Sequence, residues 1–251
     1  MQPEIDLLGI PIKTFGLCFA LAFLAAGALL TRRFRELGWR ADGATEALLA
    51  ALVGGLVGAR AYWMIDNWSE AKGDLIGSAF GGAGLTWYGG ALGGALAVLA
   101  WARWRGHLNA SLLDAAAPAL ALGYALGRVG CQVSGDGDYG QPSDLPWAMA
   151  YPDGVVPTDE VVQPTPIYET LSMGLAAMVL WQLRERLPAG ALFGLYLIFA
   201  GVERFVVEIW RRNPDVDLGL TTAQLTSIGM LVVGSALIAW RLRVAGTRTA
   251  S

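Results

Sequence analysis

Seven apolar stretches set the first limit on what this chain can fold into: Ile10–Leu30, Thr45–Ile65, Leu85–Trp104, Ser111–Cys131, Thr165–Leu183, Ala189–Trp210 and Thr222–Trp240. Each is close to the length an α-helix needs to cross about 30 Å of hydrocarbon. Only 16% of the 251 residues are charged and 55% are hydrophobic, whereas an average soluble domain carries about 25% charge. That composition excludes both a soluble globule and a disordered chain. A net charge of −3 excludes a basic nucleic-acid binder. Two cysteines, Cys18 and Cys131, are too few for a disulfide framework or a zinc cage. The single histidine, His107, leaves no room for histidine-based metal chemistry and reads as a solvated residue of a basic loop.

The basic residues decide orientation. No signal peptide is expected, because Met1–Thr14 carries Glu4 and Asp6 and lacks a basic region before an apolar one. Arg32, Arg33, Arg35 and Arg40 follow the first stretch, Arg103 and Arg105 the third, Arg184 and Arg186 the fifth, and Arg241, Arg243 and Arg248 the seventh. These are 11 of the 18 basic residues, and seven alternating spans put them all on one side. Basic loops stay in the cytoplasm. The expected fold is an all-α integral membrane protein with seven transmembrane helices, its N-terminus outside and its C-terminus cytoplasmic. It is expected to form a single membrane domain over residues 1–251, with an outer loop insertion at about 132–164. That loop is rich in Gly, Pro and Asp, and loops of such length are usually functional or disordered. Its glycines are expected to supply positive φ at a turn. Gly54-Gly55, Gly58, Gly89-Gly90 and Gly93-Gly94 predict close packing of the second and third helices.

Charges inside membrane helices are expensive and usually face a polar cavity. Here they gather toward the outer side: Arg60 on the second stretch, Arg128 on the fourth, Tyr168 and Glu169 opening the fifth, and Glu203, Arg204 and Glu208 on the sixth, followed by Arg211 and Arg212. Arg204 and Glu208 are four residues apart and share a helix face, whereas Glu203 points about 100° away. A salt-bridge ladder between helices is one reading. The other is a guanidinium cradle for an anionic headgroup, since arginine grips phosphate with a planar, two-point fork. Arg128 and Arg204 have no obvious dedicated carboxylates in the sequence, which favours an outside anion. Asp114, at the inner start of the fourth stretch, reads as compensation of a helix dipole. Asp136 and Asp138 on a glycine turn do not amount to a calcium loop, and no metal is expected. Cys131 reads as a buried, inert thiol.

These residues fall in segments that resemble the phosphatidylglycerol–prolipoprotein diacylglyceryl transferase family. The carriers are Gly127-Arg128-Val129-Gly130 with Gly135-Asp136-Gly137-Asp138-Tyr139-Gly140, Gly58-Ala59-Arg60, Gly84-Leu85-Thr86-Trp87-Tyr88-Gly89-Gly90, Pro164-Thr165-Pro166-Ile167-Tyr168-Glu169, Gly201-Val202-Glu203-Arg204 and Gln224-Leu225-Thr226-Ser227. They run in the family's order over nearly the whole chain. The resemblance implies transfer of diacylglycerol from phosphatidylglycerol to the lipobox cysteine thiol of a prolipoprotein, with release of glycerol phosphate. It implies a bacterial cytoplasmic (inner) membrane location, membrane lipids and a prolipoprotein signal peptide as partners, and no cofactor. Arg128, Arg204, Tyr88 and Glu208 are the expected catalytic group. Arg60, Asp136, Asp138, Tyr168, Glu169, Glu203 and Arg211 are expected to bind substrate. The family's histidine before Gly-Gly is Tyr88 here, its Asn after the Gly-Arg segment is Cys131, its first-helix Tyr is Phe15, and a second histidine is Gln163. Tyr88, with an ordinary pKa near 10, then serves as a donor to the headgroup, and Asp136, Asp138 or Glu208 as proton acceptor. Two other functions compatible with the residues are a related lipid-group transferase with a different acceptor and a non-catalytic phospholipid-binding membrane protein.

Overall fold

A computed structural model describes residues 1–7, 9–80, 86–214, 216 and 219–249. Gly84 and Leu85, which open the third apolar stretch and one of the motif segments, lie outside the described residues. The chain divides into two compact units, Met1–Leu30 with Leu113–Ser251, and Thr31–Leu112. Seven helices of 18 residues or more occur among the described residues: α1 (Thr14–Glu36), α2 (Ala41–Asp66), α5 (Trp87–Arg105), α6 (Ala110–Ser134), α7 (Thr165–Leu183), α8 (Ala191–Glu208) and α9 (Thr222–Thr249). Two short helices, α3 (Trp68–Ala71) and α4 (Leu75–Phe80), follow α2. Thr14–Glu36, Ala41–Asp66, Ala110–Ser134 and Thr222–Thr247 are long and apolar enough to cross a membrane. Large apolar side chains stand exposed along these and other helices, among them Leu24, Val57, Leu96, Leu171 and Val232. An apolar surface of that kind is unfavourable in water and natural in lipid. The protein is therefore an all-α membrane protein.

The first helix starts later than its apolar stretch suggests. Glu4–Leu7 (β1) and Ile10–Lys13 (β2) pair antiparallel around Gly9, which adopts φ 85°. Asp6 Oδ1 accepts the Gly9 amide at 2.7 Å and closes the turn. Ile10 and Ile12 are β-branched around Pro11, which cannot donate within a helix, so a strand wins there.

In the Thr31–Leu112 unit, α2 and α5 meet backbone to backbone. A Cβ placed on Gly54 would stand 2.6 Å from the Gly93 carbonyl oxygen, and one on Gly58 2.7 Å from Gly93 Cα. Neither helix can bear a side chain at these points, which is the physical content of the small-residue pattern. At another place in this unit, Phe34 is fully buried and its ring meets Trp39, Trp101 and His107. His107 lies 4.5 Å from Trp39, ring to ring, so the solvated loop histidine expected from sequence is instead packed among aromatics. Glu46 accepts from Trp101 Nε1 at 2.9 Å and from Arg105 Nε at 2.8 Å.

In the other unit, α6, α7 and α8 share a core of Ala117, Ala121, Ala125, Met173, Ala176, Ala177, Leu180 and Leu192. The alanines let the helices approach closely. Asp114 accepts the amides of Gly190 at 2.6 Å and Phe193 at 2.8 Å. It thus compensates a helix dipole, but that of α8 rather than only its own. Gly194 and Gly201 of α8 face the carbonyls of Gly234 and Ser227 on α9 at 2.9 and 3.0 Å from their ideal Cβ positions. Between α6 and α7 the chain forms a two-stranded antiparallel sheet, β3 (Met149–Tyr151) and β4 (Thr158–Val162), with Tyr139 stacked 4.9 Å from Tyr151.

Gly58→Ala is expected to destabilise the protein by about 1–3 kcal/mol through overpacking against Gly93. Gly229→Ala, which meets nothing within 4 Å, is expected to be neutral or slightly stabilising. Thermal unfolding of the two variants in detergent separates these outcomes.

Candidate active site

The last three turns of α6 carry Tyr124 and Arg128, four residues apart and so on one face. The first turns of α7 carry Glu169, and the last turn of α8 carries Arg204 and Glu208. Arg211 follows one turn later, and the loop after α6 adds Asp138. Pro164 and Pro166 fix the entry of the chain into α7, since proline suits the first helical positions.

Glu169 sits at the centre with no solvent exposure. Its Oε1 accepts from the Tyr124 hydroxyl at 3.1 Å and Arg204 Nη1 at 3.3 Å, and lies 3.6 Å from Arg211 Nη1. Its Oε2 is 3.0 Å from Arg128 Nε, an ion pair that is not aligned as a hydrogen bond. Asp138 joins Arg128 to Arg211 through its two oxygens. Glu208 pairs with Arg204 at 2.7 Å and accepts from Asn213 Nδ2 at 2.7 Å. Three guanidiniums thus face three carboxylates. The expectation that Arg128 and Arg204 lack dedicated carboxylates is corrected: Glu169 serves both, from a helix far away in sequence. The arginine side chains keep 17%, 23% and 10% exposure for Arg128, Arg204 and Arg211, so each still has a reachable edge. Among the described residues, Arg211 Nη1 is a buried donor without a hydrogen-bond partner. Glu203, beside Arg204, is buried, and its Oε1 has no hydrogen-bond partner among the described residues.

The Asp138 carboxyl lies outside the long helices. Burial pushes its pKa up, but the Arg128 and Arg211 guanidiniums outweigh that and hold it below the ordinary carboxylate range. The glycine turn that presents it has Gly135 at φ 62° and Gly137 at φ 96°, as its sequence suggests. Asp136 caps the same turn by accepting the Asp138 amide at 3.3 Å. Cys131 is buried, with its Sγ 3.7 Å from Arg128 Nη1. Cys131, Asp136 and Asp138 lie within 4.8 Å of one another, but Asp138 is already committed to two arginines, which makes the trio a poor metal ligand set.

Other sequence-predicted residues have different surroundings. The Tyr168 hydroxyl donates to Gln163 Oε1 at 2.6 Å and accepts from Trp147 Nε1 at 2.7 Å, so it organises the 132–164 segment. Arg212 donates to the Gly140 carbonyl at 2.9 Å and to Glu160 at 3.1 Å, which leaves Arg211 as the arginine of the cluster. In the Thr31–Leu112 unit, Arg60 is buried, donates to the Ser78 carbonyl and stacks 4.3 Å from the Trp63 ring centroid. Thr86 Oγ1 donates to the neighbouring Ala59 carbonyl at 3.0 Å. Tyr88 is 44% exposed, with its ring edge-on to Trp87. Tyr124 and Asn213 were missed from sequence. Tyr124 was findable, being one helical turn from Arg128; nothing local marks Asn213.

The apolar helices and the buried cluster of arginines and carboxylates define an all-α membrane protein with a charged interior site. The profile of the prolipoprotein diacylglyceryl transferase family matches residues 4–240. A phosphatidylglycerol–prolipoprotein diacylglyceryl transferase of Clostridium tetani is 31% identical, over 93% of this chain and 95% of that protein. The protein so named in Photobacterium profundum is 32% identical, over 96% of this chain and 93% of that protein. One in Clostridium perfringens, designated transferase 2, is 28% identical over 91% of each chain. The chain belongs to the prolipoprotein diacylglyceryl transferase family and is an enzyme.

A carboxyl held below its unfolded value of about 3.9 stabilises the fold above that pH, and the stabilisation is lost as pH falls through the lowered value. Acidification from pH 6 to 3 is therefore expected to lower the Tm of the wild type more than that of Asp138→Asn. Equal losses in detergent would remove Asp138 from the stabilising network.

Proposed function

We propose that this protein transfers the diacylglyceryl group of phosphatidylglycerol to the lipobox cysteine thiol of a prolipoprotein and releases glycerol phosphate. The observation that carries this reading is the set of three arginines around Glu169, each with a reachable edge and one with a donor lacking a hydrogen-bond partner among the described residues. A lipid phosphate entering there meets Arg128 and Arg204 and replaces a carboxylate in their forks. Asp138, on its glycine turn, is the carboxylate best able to give way. As the C–O bond of the headgroup breaks, the leaving phosphate gains a second negative charge, and fixed guanidiniums stabilise it more than they stabilise the starting diester. Glu208 holds Arg204 in place, and Arg211 extends the positive wall. Asp136 shapes the turn, Tyr168 the covering segment, and Glu169 the spacing of the arginines. Arg60 and Tyr88 enter the proposal through the motifs that carry them: Arg60 as a headgroup contact, Tyr88 as a hydrogen-bond donor where the family has histidine. No cofactor is required.

The proposal places all seven long helices across a bacterial cytoplasmic membrane as a single domain, N-terminus outside and C-terminus inside. The segment at about 132–164 then covers the site from the outer side. The loop distribution of arginines supports this orientation. In a Cys18→Ser, Cys131→Ala background, Ser143→Cys and Asp159→Cys are expected to label from outside, and Arg35→Cys and Arg105→Cys only from inside. The reverse pattern would overturn the topology.

Purified protein given phosphatidylglycerol and a lipobox peptide is expected to release glycerol phosphate only when the peptide is present. Arg128→Lys and Arg204→Lys should each lower that release by about 100-fold or more, because a point charge does not reproduce the two-point grip. Near-normal turnover in either would exclude that arginine from the phosphate site.

A further inference from the structure

We propose that Glu203 accepts the proton of the acceptor cysteine thiol; this rests on the transferase reading above. A thiol with an ordinary pKa near 8.5 is mostly neutral at pH 7, and the thiolate is the nucleophile. The reaction therefore needs a proton acceptor inside the site. Each of the other cluster carboxylates is already engaged. Asp138 is bound by Arg128 and Arg211, Glu169 by three arginines and Tyr124, and Glu208 by Arg204 and Asn213. Their oxygens are occupied by guanidinium, hydroxyl or amide donors and are not free to take up a thiol proton. On this reading Glu203 takes the proton in place of Asp136, Asp138 or Glu208, the acceptors expected from the sequence.

Glu203 differs. It is 8% exposed, its Oε1 is fully buried, and among the described residues it makes no hydrogen bond and no ion pair within 4.0 Å. It precedes Arg204 on α8 by one residue, about 100° around the helix. The titratable groups near enough to act on it through their charge are Tyr124 and Arg128 of α6, Glu169 of α7, Tyr196 and Arg204 of its own helix, and Arg211 beyond it. The α9 helix, packed on α8 at Gly201, has no titratable side chain between Thr222 and Trp240. A carboxyl buried without a partner costs stability. No ion pair explains its presence, and such a group in an apolar helix marks a functional position.

The step balances with these groups alone. The S–H bond breaks and its proton passes to the Glu203 carboxylate. The sulfur pair forms the C–S bond to the glycerol carbon, and the C–O bond to phosphate breaks. The leaving pair stays on glycerol phosphate, opposite Arg128, Arg204 and Arg211. Glu203 then returns its proton to the phosphate monoester or to water.

The test measures thioether formation from phosphatidylglycerol and a lipobox peptide between pH 6 and 9.5, alongside phosphatidylglycerol binding. Glu203→Gln is expected to lower the rate at pH 7 by about 100-fold, the usual scale of general-base catalysis, with binding unchanged. Its rate should then climb about tenfold per pH unit towards the thiol pKa, while the wild-type profile stays flatter. Glu203→Asp should lose about tenfold and keep the wild-type profile, which decides the matter if the Gln variant does not fold; an Asp profile as steep as that expected for Gln would overturn the proposal. A Glu203→Gln rate within threefold of wild type, or a loss equal at all pH values, would also overturn it. A wild type that forms no thioether at any pH defeats the transferase reading as well, whereas product formation with an unaffected Glu203→Gln defeats this proposal alone.

Discussion

Glu169 is a carboxylate without solvent contact, and a buried charge of that kind is tolerable only when it is paired and hydrogen-bonded. Here the compensation comes from three arginines and one tyrosine on α6, on α8 and just beyond α8. Removing any one of these partners leaves charge uncompensated in a place that water does not reach. The relative placement of α6, α7 and α8 at this end is therefore tied to the chemistry of the site. Asp138 adds the loop to the same network and draws the Gly135–Gly140 turn over it.

A cluster whose arginines are already paired has a consequence for binding. Arginines already satisfied by carboxylates do not attract an anion by net charge. They accept one by exchange, as a phosphate oxygen takes over a position that a carboxylate oxygen holds. Such exchange gains less than bringing a phosphate to bare guanidiniums would, but it avoids leaving three buried cations unpaired between turnovers. Turn glycines at positive φ allow Asp138 to be presented on a short connection, whereas Glu169 and Glu208 are fixed on helices.

Away from the site, the helices approach through small residues. Gly54, Gly58 and Gly93 bring α2 and α5 together, while Gly194, Gly201 and Gly234 do so for α8 and α9. In lipid there is little hydrophobic gain from bringing apolar helices together, so close van der Waals contact does the joining. The exposed leucines and valines of the same helices face outward because the surrounding solvent is as apolar as they are.

The sequence by itself determined the helices, the membrane class and the family. Apolar length, scarcity of charge and glycine spacing are local quantities, and each can be read without knowing what lies opposite. Arg128, Arg204 and Glu208 were legible for the same reason, as charges misplaced in apolar segments, and Tyr124 was within reach by its four-residue spacing from Arg128. The hairpin at Glu4–Lys13 was masked by the apolar character of Ile10 and Ile12, which suits a strand as well as a helix. Only the tertiary structure decided the pairing. It gave Glu169 to three arginines, Asp138 to two, Arg212 to the Gly140 loop and Asp114 to the start of α8, and among the described residues it left Glu203 Oε1 without a hydrogen-bond partner. Charge pairing depends on distances of 3–4 Å between residues tens of positions apart, and such distances are set by how helices pack, which no local pattern encodes.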